Sequence, residues 1–299
     1  NTLTMGTGDK AITLGGENVL PFYTFDAPIE NAPRVGIEIT DGGMAEEPEC
    51  VQKYYEGCET VVDMAKKAAT FEGVDFLSIR LEGGDPNGEN KSTEELIQIV
   101  KDVAAAVDLP IVVCGCKNVE KDAELLSKAA EALDGRNAVM LAAKEENYKT
   151  IGAAAGLAYK QVVGAESADD INLAKQLNVL MTQLGVDAKS IVMNVGTASA
   201  GYGFEYVVST MDRIKAAALS QGDATLQMPI ITPVASETWG VKESVASEAD
   251  MPEWGNAEER GIDMEVETAV ADLASGSNAV ILKHPESVAT VSKLIKALV

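Results

Sequence analysis

Histidine is almost missing from this sequence: His284 is the single one in 299 residues. A Ser-His-Asp or Cys-His nucleophilic unit would have to be built on that residue. It stands beside Pro285 at a strand end, where capping a helix or packing would serve as well. Metal motifs are missing too, with no HExxH, no HxxxH and no cysteine quartet. The four cysteines, Cys50, Cys58, Cys114 and Cys116, form no CxxC pair. That usage implies a reduced, cytoplasmic chain rather than a disulfide scaffold. Cys114 and Cys116 are two apart, so an extended strand would put both on one face. A single CxC pair cannot hold an iron–sulfur cluster, which needs four ligands. No Walker motif or GxGxxG fingerprint occurs. No apolar run approaches the roughly 18 residues of a membrane span. The first ten residues lack the basic start and apolar middle of a signal peptide. Asn1 is an unusual initiator, which implies that residues before it were removed or fall outside the numbering.

Basic residues are scarce: Lys plus Arg is 24 against 47 for Asp plus Glu, a net charge of −23. Such a surface repels phosphate backbones and anionic lipid, so neither nucleic acid nor membrane is an expected partner. The simplest reading is a solvated acidic coat. A sharper one is a face offered to a basic partner. The stretch 237–267 favours the latter, with ten acids against Lys242 and Arg260.

What is present is alternation. Short β-branched runs occur at 34–39, 74–80, 110–114, 137–141, 161–164, 190–194, 229–232 and 278–283. They are continuous rather than alternating in polarity, as strands of a parallel sheet covered on both faces are. Helical patterns separate them at 51–70, 93–107, 120–133, 148–159, 169–184, 205–219, 258–275 and 285–298. In the first, Val51, Tyr54, Tyr55, Cys58, Val61, Val62 and Ala65 recur at three- and four-residue spacing. Ser92 with Glu95 reads as a capping box. Pro285 suits the first turn of the last helix. Eight strands alternating with eight helices predict an α/β fold, a single (β/α)8 TIM barrel over residues 34–299. An open doubly wound sheet is the runner-up, but it usually stops short of eight strands. Residues 1–33 form an N-terminal extension, with Ile12–Gly16 suggesting a hairpin or plug at the barrel's bottom and 18–33 a proline-bearing connector.

In such a barrel the loops after the strands carry function. They hold Asp41; Glu82, Gly83, Gly84 and Asp85; Asp169 and Asp170; and the run Gly196 to Gly203. Glycines there allow close backbone approach to a flat or phosphate-bearing ligand, or simply make tight turns. The acids would serve as general acids or bases, or as helix caps.

These loops resemble one family, the small subunit of the corrinoid/iron–sulfur protein of the reductive acetyl-CoA pathway. The matching stretches are GGENVLPF from Gly15, EGGDP from Glu82, VEKD from Val119 and ENYKT from Glu146. DINLAKQLN from Asp170, GYGFEY from Gly201, Trp254-Gly255, Glu259-Arg260-Gly261 and KHPE from Lys283 extend it along nearly the whole chain. The resemblance implies a β/α barrel with no catalytic or metal-binding residue of its own. It implies a heterodimer with a large subunit that holds a 4Fe–4S cluster and a corrinoid (cobamide) shared at the interface. The corrinoid would take a methyl group from methyltetrahydrofolate through a methyltransferase and pass it to acetyl-CoA synthase/CO dehydrogenase. The absence of a DxHxxG motif agrees with a corrinoid held mainly by the partner. By rim position, the expected corrinoid-binding residues are Gly84, Asp85, Asn194, Gly196, Thr197, Tyr202, Gly203 and Thr232. Asn194, Thr197 and Thr232 would bond carboxamide arms, and Tyr202 would pack on the ring. Asn194 stands where the family has an aspartate-like residue, which argues against a general base there. The loop holding Trp239 and Trp254 is the expected protein-contact surface.

Two enzymatic readings compete. A pterin-dependent methyltransferase of the same barrel type would grip its substrate with Asp75, Asp85 and Asn194. An aldolase-type barrel would need a lysine in a strand core, where only Lys283 stands, at a strand end.

Overall fold

The computed structural model describes residues 1–299. The chain begins with an antiparallel hairpin, β1 (Thr2–Met5) and β2 (Ile12–Gly15). Eight parallel strands follow: β3 (Arg34–Thr40), β4 (Phe76–Arg80), β5 (Ile111–Cys114) and β6 (Val139–Ala143), then β7 (Val162–Glu166), β8 (Ile191–Asn194), β9 (Ile231–Thr232) and β10 (Ala279–Leu282). Their order is β8-β7-β6-β5-β4-β3-β10-β9. The two edges meet through a parallel bridge between Met193 and Ile230, supported by the Met193 N–H donating to the Pro229 carbonyl at 2.8 Å. That contact closes the barrel, so the open-sheet alternative falls away.

The helices are α1 (Glu49–Gln52), α2 (Val61–Ala68), α3 (Thr93–Ala106), α4 (Val119–Ala132), α5 (Tyr148–Ile151) and α6 (Ile171–Leu184). They continue with α7 (Phe204–Ser220), α8 (Val234–Thr238), α9 (Lys242–Val245), α10 (Ala257–Ser275) and α11 (Pro285–Leu298). No helix is long and apolar enough to cross a membrane.

Three elements differ from expectation. The helix expected over 51–70 is broken: α1 runs into a 3-10 turn, Lys53–Tyr55, and α2 starts afresh at Val61. Thr60 makes the new start, because its hydroxyl accepts from the Asp63 N–H while the Asp63 carboxylate accepts from the Thr60 N–H. Ser92 forms only half of the box expected of it, accepting from the Glu95 N–H at 3.2 Å. The helix expected over 148–159 is α-helical for one turn and then π-helical over Gly152–Ala158. The small residues there let the backbone lie against Val186, whose methyl would be 2.8 Å from a Cβ at Gly156.

The strands separate two cores. Between barrel and helices lies a cluster of 53 buried residues, including Ile37, Ile39, Leu77, Ile79, Val113, Met140 and Leu282. Inside the barrel lies a second cluster of 15. There the hairpin residues Leu3, Met5, Ile12 and Leu14 meet Phe76, Val112, Val139, Val162, Val192, Ile231 and Ala279. Gly36 makes room for the Phe76 ring, which would lie 2.2 Å from any Cβ at that position. The lower interior is thus dry and filled. Because side chains alternate along a strand, the next inward positions are Glu38, Arg80, Cys114, Glu166, Asn194 and Lys283. The interior changes from apolar to charged as it rises toward the strand ends.

Candidate functional site

That charged layer is the floor of a cavity of about 240 Å³ at the C-terminal mouth. Arg80, Cys114, Gly115 and Asn194 line it from the strands, and Lys117, Lys144, Gly196, Thr197 and Glu237 from the loops. Every cation in it has an acidic partner. Arg80 places Nε 3.0 Å and Nη2 2.9 Å from Glu38 Oε2. Lys144 Nζ lies 3.1 Å from Glu166, and Lys117 Nζ 3.0 Å from Glu237. Below the rim, Lys283 Nζ lies 2.6 Å from Glu47 Oε2.

Burial pushes the Glu38 carboxyl up, but the Arg80 and Lys283 charges prevail and hold it below the usual carboxylate range. Glu47 goes the other way, because burial outweighs Lys283. Burial also raises Asp122, whose Oδ1 accepts from the Cys116 N–H at 2.7 Å. Gly115 is required beside it, since a Cβ would sit 2.3 Å from that carboxylate. Cys114 is pushed up to about 11 by burial, so it is a neutral thiol facing Ser78 rather than a nucleophile. The expectation that Cys114 and Cys116 share a face fails. The strand ends at Cys114, and Cys116 packs in the outer cluster while Cys114 packs in the inner one.

The rim residues expected from the sequence divide into two groups. Asn194, Gly196 and Thr197 line the cavity together. The others do not. Gly84 is buried between Leu96 and Leu125, and Asp85 holds a turn by accepting from the Asn87 N–H. Gly203 starts α7 in a left-handed conformation with φ of 91°. Tyr202 is 52% exposed, with its hydroxyl donating to Glu243. Thr232 is a correction: it lies one residue past the inward-facing Ile231, so its hydroxyl points outward and donates to Ser277 at 2.8 Å. Asp75 is another. It precedes β4 at the bottom, paired with Arg34 and the Val35 N–H, and never meets the mouth. Asp41 grips the Gly83 N–H and Lys91, and Asp170 caps α6. His284 is fully buried and caps α11, accepting from the Glu286 N–H at Nδ1. No cluster of three metal-ligating side chains occurs.

Residues 2–284 match the family described as CO dehydrogenase/acetyl-CoA synthase delta subunit. This chain belongs to that family. It is 34% identical over 298 residues to subunit delta 2 of the acetyl-CoA decarbonylase/synthase complex of Methanosarcina acetivorans, covering 98% of this chain and 67% of that protein. Subunit delta from Methanocaldococcus jannaschii is 31% identical over 295 residues, covering 98% of this chain and 71% of its own. Among solved structures, dihydropteroate synthase from Xanthomonas albilineans with 4-aminobenzoic acid superposes with a TM-score of 0.60 at 15% identity, covering 100% of this chain and 98% of that one. The enzyme from Stenotrophomonas maltophilia gives 0.55 at 15% identity, over 91% of this chain and 94% of that one. These structures share the barrel fold.

In this delta-family barrel the loop after β9 is buried where it begins and mostly exposed over 242–253. It contains α8 and α9, and Trp239 is only 8% exposed. The indole stacks on His284 at 5.9 Å and fills the space over Gly261, where a Cβ would come within 2.4 Å of the ring. Trp239→Ala is therefore expected to cost about 3–5 kcal/mol of stability, as truncation of a buried aromatic does. Urea unfolding reads it, and a change below about 1 kcal/mol would show the ring to be dispensable to packing. Trp254 is half-buried beneath Lys242 and Arg260. The large exposed side chains at this end are Tyr202, Tyr206 and Val245.

Sequence reading missed the pair that builds the floor. Glu38 stood in plain view inside RVGIEI and Arg80 at the end of FLSIR. A charge within an otherwise apolar strand is the signal that would have found them.

Proposed function

We propose that this chain is the barrel subunit of a corrinoid/iron–sulfur methyl carrier, covering the corrinoid held by a larger subunit. The observation that carries the reading is family membership joined to the character of the mouth. The mouth is polar, its thiol faces Ser78, its cations are already paired, and the chain's sole histidine caps a helix without lining the mouth. Such a site suits holding and shielding better than bond making.

The polar lining of the mouth fits a carboxamide-bearing corrinoid. Asn194, Gly196 and Thr197 stand together at the mouth, and Tyr202 is exposed beside it. Gly203 starts α7 directly after Tyr202, and Thr232 ties β9 to Ser277. When bound, the corrinoid supplies cobalt as the methyl-carrying centre. The residues of this chain exclude water over it, orient its arms and meet the large subunit. Tyr202, Tyr206 and Val245, next to the acidic stretch 237–267, are the surface for that subunit. The 4Fe–4S cluster belongs to the partner, and the clients are a methyltetrahydrofolate methyltransferase and acetyl-CoA synthase/CO dehydrogenase.

Co-expression with the large subunit tests this. The two chains should purify together with cobalt and iron, and this chain alone should carry neither. Turnover of methyltetrahydrofolate with free cobalt(I) corrinoid by the isolated barrel would sink the carrier reading.

A further inference from the structure

The cavity floor holds two polar side chains whose acceptor and donor halves are treated differently. Arg80, with its side chain 5% exposed, gives Nε and Nη2 to Glu38. Its Nη1 group, with two N–H donors, has no acceptor in the protein. Asn194 is 5% exposed, and its Oδ1 accepts from the Gly196 N–H at 3.0 Å. Its Nδ2 group likewise has no acceptor. Neither nitrogen is among the buried side-chain atoms that lack a partner, so both keep contact with solvent in the cavity that both residues line. Two nearly buried side chains thus aim free N–H donors into one socket. Thr197, on the same wall, contributes no free donor, because its hydroxyl donates to Asp272 at 2.8 Å.

We infer that this socket binds the carbonyl oxygen of a neutral carboxamide, specifically one side arm of the corrinoid. The inference rests on the carrier reading for the identity of the ligand, but not for the chemistry. Free donors call for an acceptor. Charge decides which kind. Arg80, Lys117 and Lys144 each already face a carboxylate, and the protein carries a net charge of −23. An added anion would find no uncompensated cation and an unfavourable field. A carbonyl oxygen carries no net charge to be repelled, and it relieves donors that burial otherwise leaves poorly solvated. Size agrees: about 240 Å³ admits a short arm and not a macrocycle, so the ring would lie across the mouth with one arm inserted.

Propionamide and propionate have nearly the same shape and differ in charge, which makes them the probes. Saturation-transfer NMR on the full chain should show propionamide binding and propionate binding more weakly. Arg80→Lys keeps a cation beside Glu38 but removes Nη1. Asn194→Asp keeps an acceptor for Gly196 but replaces the free donor. Each should weaken propionamide at least about tenfold, a loss of about 1.4 kcal/mol. Circular dichroism spectra matching the native chain establish that the variants fold. Dicyanocobinamide should displace propionamide from the native chain.

Tighter binding of propionate, or equal binding of propionamide to both folded variants, would overturn the socket. Bound propionamide that cobinamide fails to displace would overturn the corrinoid arm as its occupant. A purified two-subunit complex without cobalt would instead defeat the carrier reading and leave a carboxamide socket standing.

Discussion

Glu38→Leu is expected to destabilise the barrel by about 3–5 kcal/mol, because it strips the partner from a buried guanidinium. Arg80 and Glu38 have side chains only 5% and 1% exposed, and no other carboxylate lies within ion-pairing distance of Arg80. Taking one charge away leaves the other with its desolvation cost and no compensation. Lys283 stands in the same layer and feels both Glu47 and Glu38, so the variant also takes one of its two neighbouring carboxylates away. The double variant Glu38→Leu/Arg80→Leu removes both charges and should recover most of the loss, since a matched apolar pair often replaces a buried ion pair at little cost. Urea midpoints for the four corners of the cycle would measure this. A single-variant loss below about 1 kcal/mol, or a double variant no better than the single, would refute the account. The result bears on function as well. If the pair holds Arg80 in place, its cost is the means by which Nη1 is aimed at the mouth.

The second large effect is a pH dependence centred on Asp272. This residue sits fully buried on α10, with Oδ2 accepting from Thr197 and Oδ1 without any partner. Burial raises its pKa from 3.8 to about 8, and Glu265 nearby on the same helix is raised from 4.5 to about 7 for the same reason. Both groups therefore hold protons in the folded chain that the unfolded chain releases near pH 4. Folding binds protons between those limits, so the contribution of these two groups to stability is complete below about pH 4 and is lost as pH rises through the folded values. Asp272→Asn keeps an acceptor for Thr197 and is neutral throughout. It should equal the native chain near pH 4 and exceed it by on the order of 3 kcal/mol above pH 8. Glu265→Gln should remove a further part of the slope, with the raised Glu47 and Asp122 keeping some of the rest. Thermal or urea unfolding across this range gives the comparison, and parallel curves for native and Asp272→Asn would count against the buried acid.

The barrel itself was legible in the amino-acid order. Eight β-branched runs alternating with helical periods leave few architectures, and the Ile12–Gly16 signal marked the hairpin whose Leu3, Met5, Ile12 and Leu14 fill the bottom. Family membership was legible too, because motifs such as EGGDP and GYGFEY keep their order along the chain. What only the tertiary structure decided was the phase of each strand. Parallel strands buried on both faces show no alternation of polarity, so nothing in PIIT said that Ile231 points in and Thr232 points out. Closure and register settle that. They also join charges far apart in the chain, Glu38 with Arg80 across 42 positions and Glu47 with Lys283 across 236. They bury Trp239, whose loop composition had suggested an open surface. Residue types and their spacing were enough for the scaffold, because local propensity and hydrophobic patterning act over short stretches. The floor of the mouth was beyond them, because it exists only where distant strands are brought side by side.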